Sequence, residues 1–292
     1  MHPQHDDKAD SRDGHVGHKA VFGNVMSRRA FLQLAVVGAA GVVVGGTASA
    51  VYSFGIESIA AELRGLREPV RVAWLCDLHY GPFIHAGSVA AWVDATLELE
   101  PDLILLGGDI VDHRAPPNLA PLFDELGRLR SPLGTYAIRG NHEYARFGDP
   151  RPFEAALERS GVRTLVNQGV DVREDLYLAG FDSGRVGLRV IRNTLAHRPA
   201  DSACLAAAHK PDVLPRMPPE IGLTLCGHTH GGQILLPGIG PIVALTDAGR
   251  DAASGWVWSP GLGYVSRGLG VVHVPIRLNC PAELTIVTLT PA

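Results

Sequence analysis

The chain has 292 residues, of which 46% are hydrophobic and 19% charged, enough for one sizeable core behind an N-terminal preface. Its formal charge is −4 with no long basic block, which speaks against a nucleic-acid surface. Four cysteines (Cys76, Cys204, Cys226, Cys280) have no C-x-x-C spacing, so neither a zinc ribbon nor a thioredoxin-type site is supported.

Residues 1–26 are a polar head containing His2, His5, His15 and His18, expected to be disordered. Residues 27–56 start at Ser27, Arg28 and Arg29 and run from Ala30 to Ile56 without a charge. Paired arginines followed by Phe31, Leu32 and a Gly/Ala-rich apolar run look like a twin-arginine export signal, with Ala48-Ser49-Ala50 as a small-residue cleavage site. The plainer reading is a membrane anchor, since the stretch is long enough to span a bilayer. Either way the globular part is expected outside the cytoplasm, on the periplasmic side or the outer face of the membrane. The translocase is then a transient partner.

Residues 57–69 read as a polar connector, and 70–292 as the globular domain. "VRVAWLC" (70–76) is a continuous apolar run with β-branched residues, a buried strand. A helix is expected next, from about Gly87 to Leu99, with Val89, Trp92, Val93 and Leu97 at helical spacing. "PDLILLGGDIVD" is a second buried strand opening into a glycine turn. Asn118 can cap a helix carrying Leu119, Leu122, Phe123, Leu126 and Leu129 on one stripe. "GTYAIRGNHEY" is a third strand running into a loop, and "DPRPFEAALERSG" a helix with prolines in its first turn. Beyond residue 162, "RTLVN", "VDVRED" and "LYLAG" read as short strands in hairpins. "DSACLAAAHK" and "IGLTLCGHTH" again run a strand into a histidine. The early β-α-β-α order predicts a largely parallel sheet with helices on its faces, and the later strands a second sheet behind it.

The residues just past each buried strand carry most of the information: Asp77 and His79, Asp109, Asn141 and His142, His209, then His228 and His230. Open α/β sheets place their sites at the carboxyl ends of strands, so neighbouring strands would converge these groups on one crest. Carboxylate, amide oxygen and imidazole form a ligand set suited to Mn, Fe or Zn without a thiolate preference. So many ligands are too many for one ion and suit two that share a carboxylate.

The blocks "DLH" (77–79), "GDIVD" (108–112), "GNHE" (140–143), lone His209 and "GHTH" (227–230) resemble the signature of the calcineurin-like metallophosphoesterase superfamily. The resemblance covers residues 70–290 and implies a four-layer α/β/β/α sandwich of two mixed β-sheets flanked by helices. It implies a dinuclear centre in which Asp77, His79 and His230 bind one divalent ion, Asn141, His209 and His228 the other, and Asp109 bridges them. It further implies hydrolysis of a phosphoester by attack of a metal-bridging hydroxide, with His142 stabilising the transition state or protonating the leaving oxygen. Asp112 matches the carboxylate that usually orients that histidine, or is a turn cap. Where the protein-phosphatase form of the motif has arginine after its second aspartate, this chain has His113. Arg114 is next, reaching phosphate or remaining a solvated loop charge. His85 and His113 are loop residues able to contact substrate, His197 and His273 are expected to be structural or exposed, and Cys76 and Cys226 to be buried fillers. The "HGGQILLPGIGP" stretch and the tail narrow the resemblance to bacterial exported phosphoesterases related to UDP-diacylglucosamine pyrophosphohydrolases. There Gly231 and Gly232 would let the backbone pass close to the ions. The implied substrate is a phosphorylated small molecule or lipid; the alternatives are an envelope lipid or nucleotide pyrophosphohydrolase and a non-catalytic metal-binding scaffold.

Overall fold

The computed structural model describes residues 48–49 and 53–292, apart from 185, 244–245, 247–248, 250–251 and 259. The polar head, the paired arginines and most of the apolar run lie outside the described residues. No helix among the described residues is long and apolar enough to cross a membrane.

The first sheet is built from β1 (Phe54–Leu63), β2 (Val70–Leu75), β3 (Leu103–Leu106), β4 (Thr135–Ala137), β5 (Arg163–Thr164) and the late strand β12 (Ala282–Pro291), in the spatial order β1-β12-β2-β3-β4-β5. The second holds β6 (Gln168–Arg173), β7 (Leu176–Phe181), β8 (Ala203–Ala208), β9 (Leu223–Cys226), β10 (Gly255–Trp258) and β11 (Leu262–Val265), in the order β10-β11-β9-β8-β7-β6. The central strands of both sheets run parallel, with antiparallel pairings at β12–β2, β10–β11 and β6–β7, so both sheets are mixed.

Alternation along β2 explains the layering. Val70, Val72 and Trp74 point between the sheets, where they pack with Leu103 and Leu105 against Leu178, Leu205 and Leu225. Ala73 and Leu75 point the other way, toward α1 (Ala86–Glu98), α2 (Ala120–Leu126) and, beyond a short α3 (Asn141–Phe147), α4 (Arg151–Arg159). On the outer face of the second sheet, Tyr177, Ala179, Phe181 and Ala206 pack against Ile191 of α5 (Leu188–Thr194) and Leu214 of a 3-10 turn. Strands covered on both faces need no polar alternation, which is why 70–76 reads as an unbroken apolar run. The result is the four-layer α/β/β/α arrangement.

Three local expectations change. Residues 57–63 are not connector: Phe54–Leu63 pairs along its whole length with β12, from Phe54 opposite Ala282 to Leu63 opposite Pro291. Alternation of half-buried or buried Ile59, Ala61 and Leu63 with exposed Ser58, Ala60 and Glu62 is an edge-strand pattern, with charge on the outward face. The stretch after β4 is not only loop, because a helix begins at Asn141 itself. Helix α5 is an element that the sequence pattern does not announce. Asn118 does accept the Ala120 N–H at 3.0 Å, although α2 is shorter than its apolar stripe.

Candidate metal centre

Parallel register brings the strand ends level: Leu75 of β2 lies beside Leu106 of β3, which lies beside Ala137 of β4. The loops leaving these strands are cross-braced, with the Asp77 N–H donating to the Gly108 carbonyl at 3.1 Å and the His79 N–H to the Asp109 carbonyl at 2.9 Å. Turning side chains back over the crest requires left-handed backbone. Asp77, His79, Asp109, His228 and His230 have φ of 55°, 51°, 48°, 72° and 53°, five of the ten non-glycine residues with positive φ among those described. Such conformations cost about 1–3 kcal/mol each and cluster where geometry serves function.

Ligand atoms of Asp77, His79 and His230 lie within 4.8 Å of one another, as do those of Asp109, His209 and His228. His79 Nε2 and His230 Nε2 are 3.0 Å apart, the spacing two adjacent ligands present to one ion about 2.1 Å from each. Asp109 Oδ2 lies 3.6 Å from His79 Nε2 and 3.2 Å from His209 Nε2, so this carboxylate faces both groups. The second sheet is tied to the first here: the Asp77 carboxylate accepts the His228 N–H at 2.9 Å, and His209 Nδ1 meets the Gly107 carbonyl at 2.9 Å. That carbonyl can only accept, so His209 Nδ1 donates to it and Nε2 is the nitrogen that faces the cluster.

Three atoms of these residues, His79 Nδ1, Asn141 Oδ1 and His209 Nε2, are buried without a hydrogen-bond partner. Buried polar atoms are ordinarily satisfied, so the Asn141 oxygen, which can only accept, calls for an electropositive partner. Burial and the neighbouring His142 push His79 down to about 3, and burial likewise holds His228 and His230 well below the ordinary imidazole range. Neutral imidazole is the form that ligates. Burial, and then repulsion from Asp109, raises Asp77 to about 6, whereas burial opposes the charge on His209 but Asp109 beside it pushes that imidazole up to about 9. Crowded carboxylates and neutral imidazoles fit divalent cations; no sulfur is needed, and Cys76 and Cys226 are buried free thiols.

His142 stands at the edge of the cluster, its Nε2 4.0 Å from Asp109 Oδ2 and its Nδ1 accepting the His113 N–H at 3.3 Å. Asp112 does not orient it by a hydrogen bond. Its Oδ2 is 4.0 Å from His142 Nδ1, because Arg114 holds the carboxylate through backbone and side-chain N–H bonds of 2.7 and 3.0 Å. Burial alone would raise Asp112, but those Arg114 contacts outweigh it and keep it below the usual carboxylate range. Arg114 thus sits at the rim, over the Phe83 ring. His85 is exposed at the start of α1 and belongs to none of the ligand groups; His197 and His273 are exposed as well.

Two residues not singled out from sequence hold the crest together. Buried Glu143 accepts four backbone N–H bonds: Ile110 at 2.7 Å, Val111 at 3.2 Å, Asp109 at 3.1 Å and Gly140 at 2.7 Å. Burial and the nearby Asp109 raise its carboxyl to about 7. Its signal was present in "GNHE", where a glutamate three residues past an N-cap closes back on it. Fully buried Arg277 has no carboxylate partner among the described residues; it donates to the carbonyls of Gly270 (2.6 Å), Arg267 (2.8 Å) and Gly268 (3.0 Å), and lies 3.3 Å from His230 Nδ1. Gly140 is needed because a Cβ there would land on the Asp109 backbone N and Oδ1. Gly231 and Gly232 answer a different need from the one expected: their φ of 61° and 82° packs them against Cys280, Arg267 and Pro241 rather than against the ligand atoms.

A family model described as calcineurin-like phosphoesterase matches residues 70–232, more than half of the chain. Phosphodiesterase YaeI of Escherichia coli K12 is 31% identical over 226 residues, covering 76% of this chain and 82% of that protein. An uncharacterized metallophosphoesterase of Aquifex aeolicus is 30% identical over 230 residues, covering 75% and 85%. Among solved structures, a dimetal phosphatase from Danio rerio superposes on 77% of this chain and 100% of its own with TM-score 0.47 and 13% identity. With the strand-end blocks in place and the family model and the two relatives matching across them, the chain belongs to the calcineurin-like phosphoesterase family, metal-dependent hydrolases of phosphoric esters.

Proposed function

We propose that this protein hydrolyses a phosphodiester, with monoesters as lesser substrates, using two divalent cations held by Asp77, His79 and His230 on one side and Asn141, His209 and His228 on the other, Asp109 serving both. The observation that carries this reading is the position of Asp109, whose Oδ2 lies 3.6 Å from His79 Nε2 and 3.2 Å from His209 Nε2 and so faces both ligand groups, together with the buried, unpaired Asn141 Oδ1 one residue before the His142 N–H that Asp109 accepts at 2.7 Å. The name of the Escherichia coli relative favours the diester. When bound, such cations supply an activated water and neutralise charge on the transferring phosphoryl group; oxygen and imidazole donors suit Mn, Fe or Zn.

The chain's own residues do the rest. Asn141 contributes oxygen without charge, leaving the loaded site attractive to an anionic phosphate. His142, whose Nδ1 accepts from the His113 N–H, carries its proton on Nε2 and donates it to a phosphoryl or leaving oxygen. Asp112 acts on His142 through its field at 4.0 Å rather than by a direct bond. We further propose export through the twin-arginine route, on the strength of Arg28, Arg29 and the uncharged run behind them.

The decisive test is Asp109→Asn in the full chain. Hydrolysis of bis-p-nitrophenyl phosphate should fall at least about a thousandfold, the several kcal/mol that metal-ion stabilisation supplies, and bound metal should drop with it. An Asp109→Asn protein of undiminished turnover ends the proposal. Fractionation of an Arg28→Lys/Arg29→Lys chain tests export, which should be lost.

A further inference from the structure

Directly after His230 the chain makes a hairpin that the proposed hydrolysis does not use. Leu235–Leu236 pairs antiparallel with Gly240–Pro241, and residues Ile234 to Val243 include no charge. Its root is built in. Ile234, Val274 and Leu278 bury together with Ile242 against them, and the Gln233 side chain bonds the Val272 N–H and the Val274 carbonyl, both at 2.9 Å. Its tip is not. Pro237 and Gly238 are exposed, Ile239 is 61% exposed, and Val243 and Ile276 are 42% and 37% exposed. An isoleucine side chain exposed at the tip contributes little to the buried root, and clustered exposed apolar side chains mark a contact surface.

The surroundings indicate what that surface meets. β1 begins at Phe54 opposite Ala282; next door the Glu283 N–H donates to the Gly268 carbonyl at 3.0 Å, and the Gly270 N–H to the Asp77 carbonyl at 2.7 Å. The chain therefore enters the fold at the crest, beside a ligand residue. Ala48–Ser49 pairs with Arg277–Leu278, and Leu278 in turn bridges to Ile234 at the hairpin root. Upstream of that pairing, Ala30 to Thr47 carries no charge and has the length of a bilayer crossing, about 17–25 residues. The described chain thus begins on the face that carries the hairpin and the crest, and in sequence the uncharged run directly precedes it. Trp258, at 81% the most exposed large apolar residue, pairs with Leu262 at the opposite end of β10 and lies away from it.

We propose that the 234–243 hairpin inserts its tip into the headgroup layer of a lipid bilayer and so presents the metal centre to phosphoesters carried by membrane lipids. The substrate half of this inference rests on the hydrolysis proposed above; the docking half stands without it. Burying Ile239, Val243 and Ile276 is favourable, and Pro237 and Pro241 leave fewer backbone N–H groups to desolvate.

The test uses the full chain with Ile239→Cys carrying an environment-sensitive fluorophore; the four native thiols are buried, which directs labelling to position 239. On vesicles of phosphatidylcholine and phosphatidylglycerol the label should shift to the blue and be quenched by lipid-borne quencher, whereas a Trp258→Cys label should do neither. Ile239→Asp should lower hydrolysis of a phosphodiester lipid in those vesicles about tenfold while leaving bis-p-nitrophenyl phosphate turnover unchanged. A label at 239 that stays in water on a vesicle-bound chain overturns the inference, as does shielding without vesicles that grows with protein concentration, the mark of a second copy. A buried label on a chain that turns over neither substrate keeps the docking and sinks the hydrolysis.

Discussion

The two ends of the sandwich strap the same pair of sheets together by different means. At the end away from the crest, Asp175 in the β6–β7 turn accepts the Arg67 N–H at 2.6 Å and pairs with Arg173, while its carbonyl takes the Ala203 N–H at 2.9 Å. Asp175 has neither positive φ nor an unsatisfied atom. At the crest the straps are Trp74 Nε1 to the Cys226 carbonyl, His209 to Gly107, and the Asp77 carboxylate to the His228 N–H. There Asp77 and His228, which join the sheets, sit on left-handed backbone, and His209 leaves its Nε2 without a hydrogen bond. One end is optimised for holding. The other gives up stability to aim side chains, as expected where function constrains geometry.

Variants at the two ends can probe that contrast. His142→Asn should matter most, with kcat down about 10²–10⁴-fold and bound metal and melting temperature unchanged; an earlier melt would mean His142 is a strap after all. Next is Glu143→Gln, which turns an amide N–H toward backbone donors. Calorimetry should find it about 1–3 kcal/mol less stable, with bound metal falling in parallel because the Asp109 loop loses its brace. Asp175→Asn should cost about 1 kcal/mol with kcat untouched, and its sign with pH is fixed. Burial opposes ionisation of Asp175, yet the Arg173 and Arg67 contacts hold it below its ordinary value. Its contribution is therefore full above the unfolded carboxylate value of about 3.9 and fades as pH falls through the folded one, so denaturant titrations of the two proteins should converge in acid. Arg114→Ala should do least. Because Asp112 already occupies the guanidinium, KM should rise less than about threefold; a tenfold rise would place Arg114 on the substrate phosphate.

The sequence made the crest legible because its information is local: each polar group directly succeeds an apolar strand, and strands buried on both faces are hard to mistake. The features that stayed hidden depend on distant partners. Nothing near Phe54–Leu63 announces β12 as its neighbour, since the pairing joins Phe54 to Ala282. Glu143 was visible as a letter in a motif, but its four bonds form only once the 108–111 turn folds over it. Arg277 reads as one more loop arginine until the 267–270 carbonyls close around it. Asp112 matches His142 by pattern, yet the arginine two residues on has already taken its carboxylate. Local pattern thus marks where ligands emerge, while tertiary contacts determine what steadies them.

The first sheet lays its late strand between its two earliest ones. β2, which ends just before Asp77, lacks an edge partner until residues 282–291 have left the ribosome and threaded in beside it. So the first sheet cannot be completed before β12 has been synthesised, and the candidate ligands at its crest cannot be fixed before then. A nascent chain stalled short of β12 would display an open ladder at the strand that leads into Asp77, a template for mispairing rather than for catalysis.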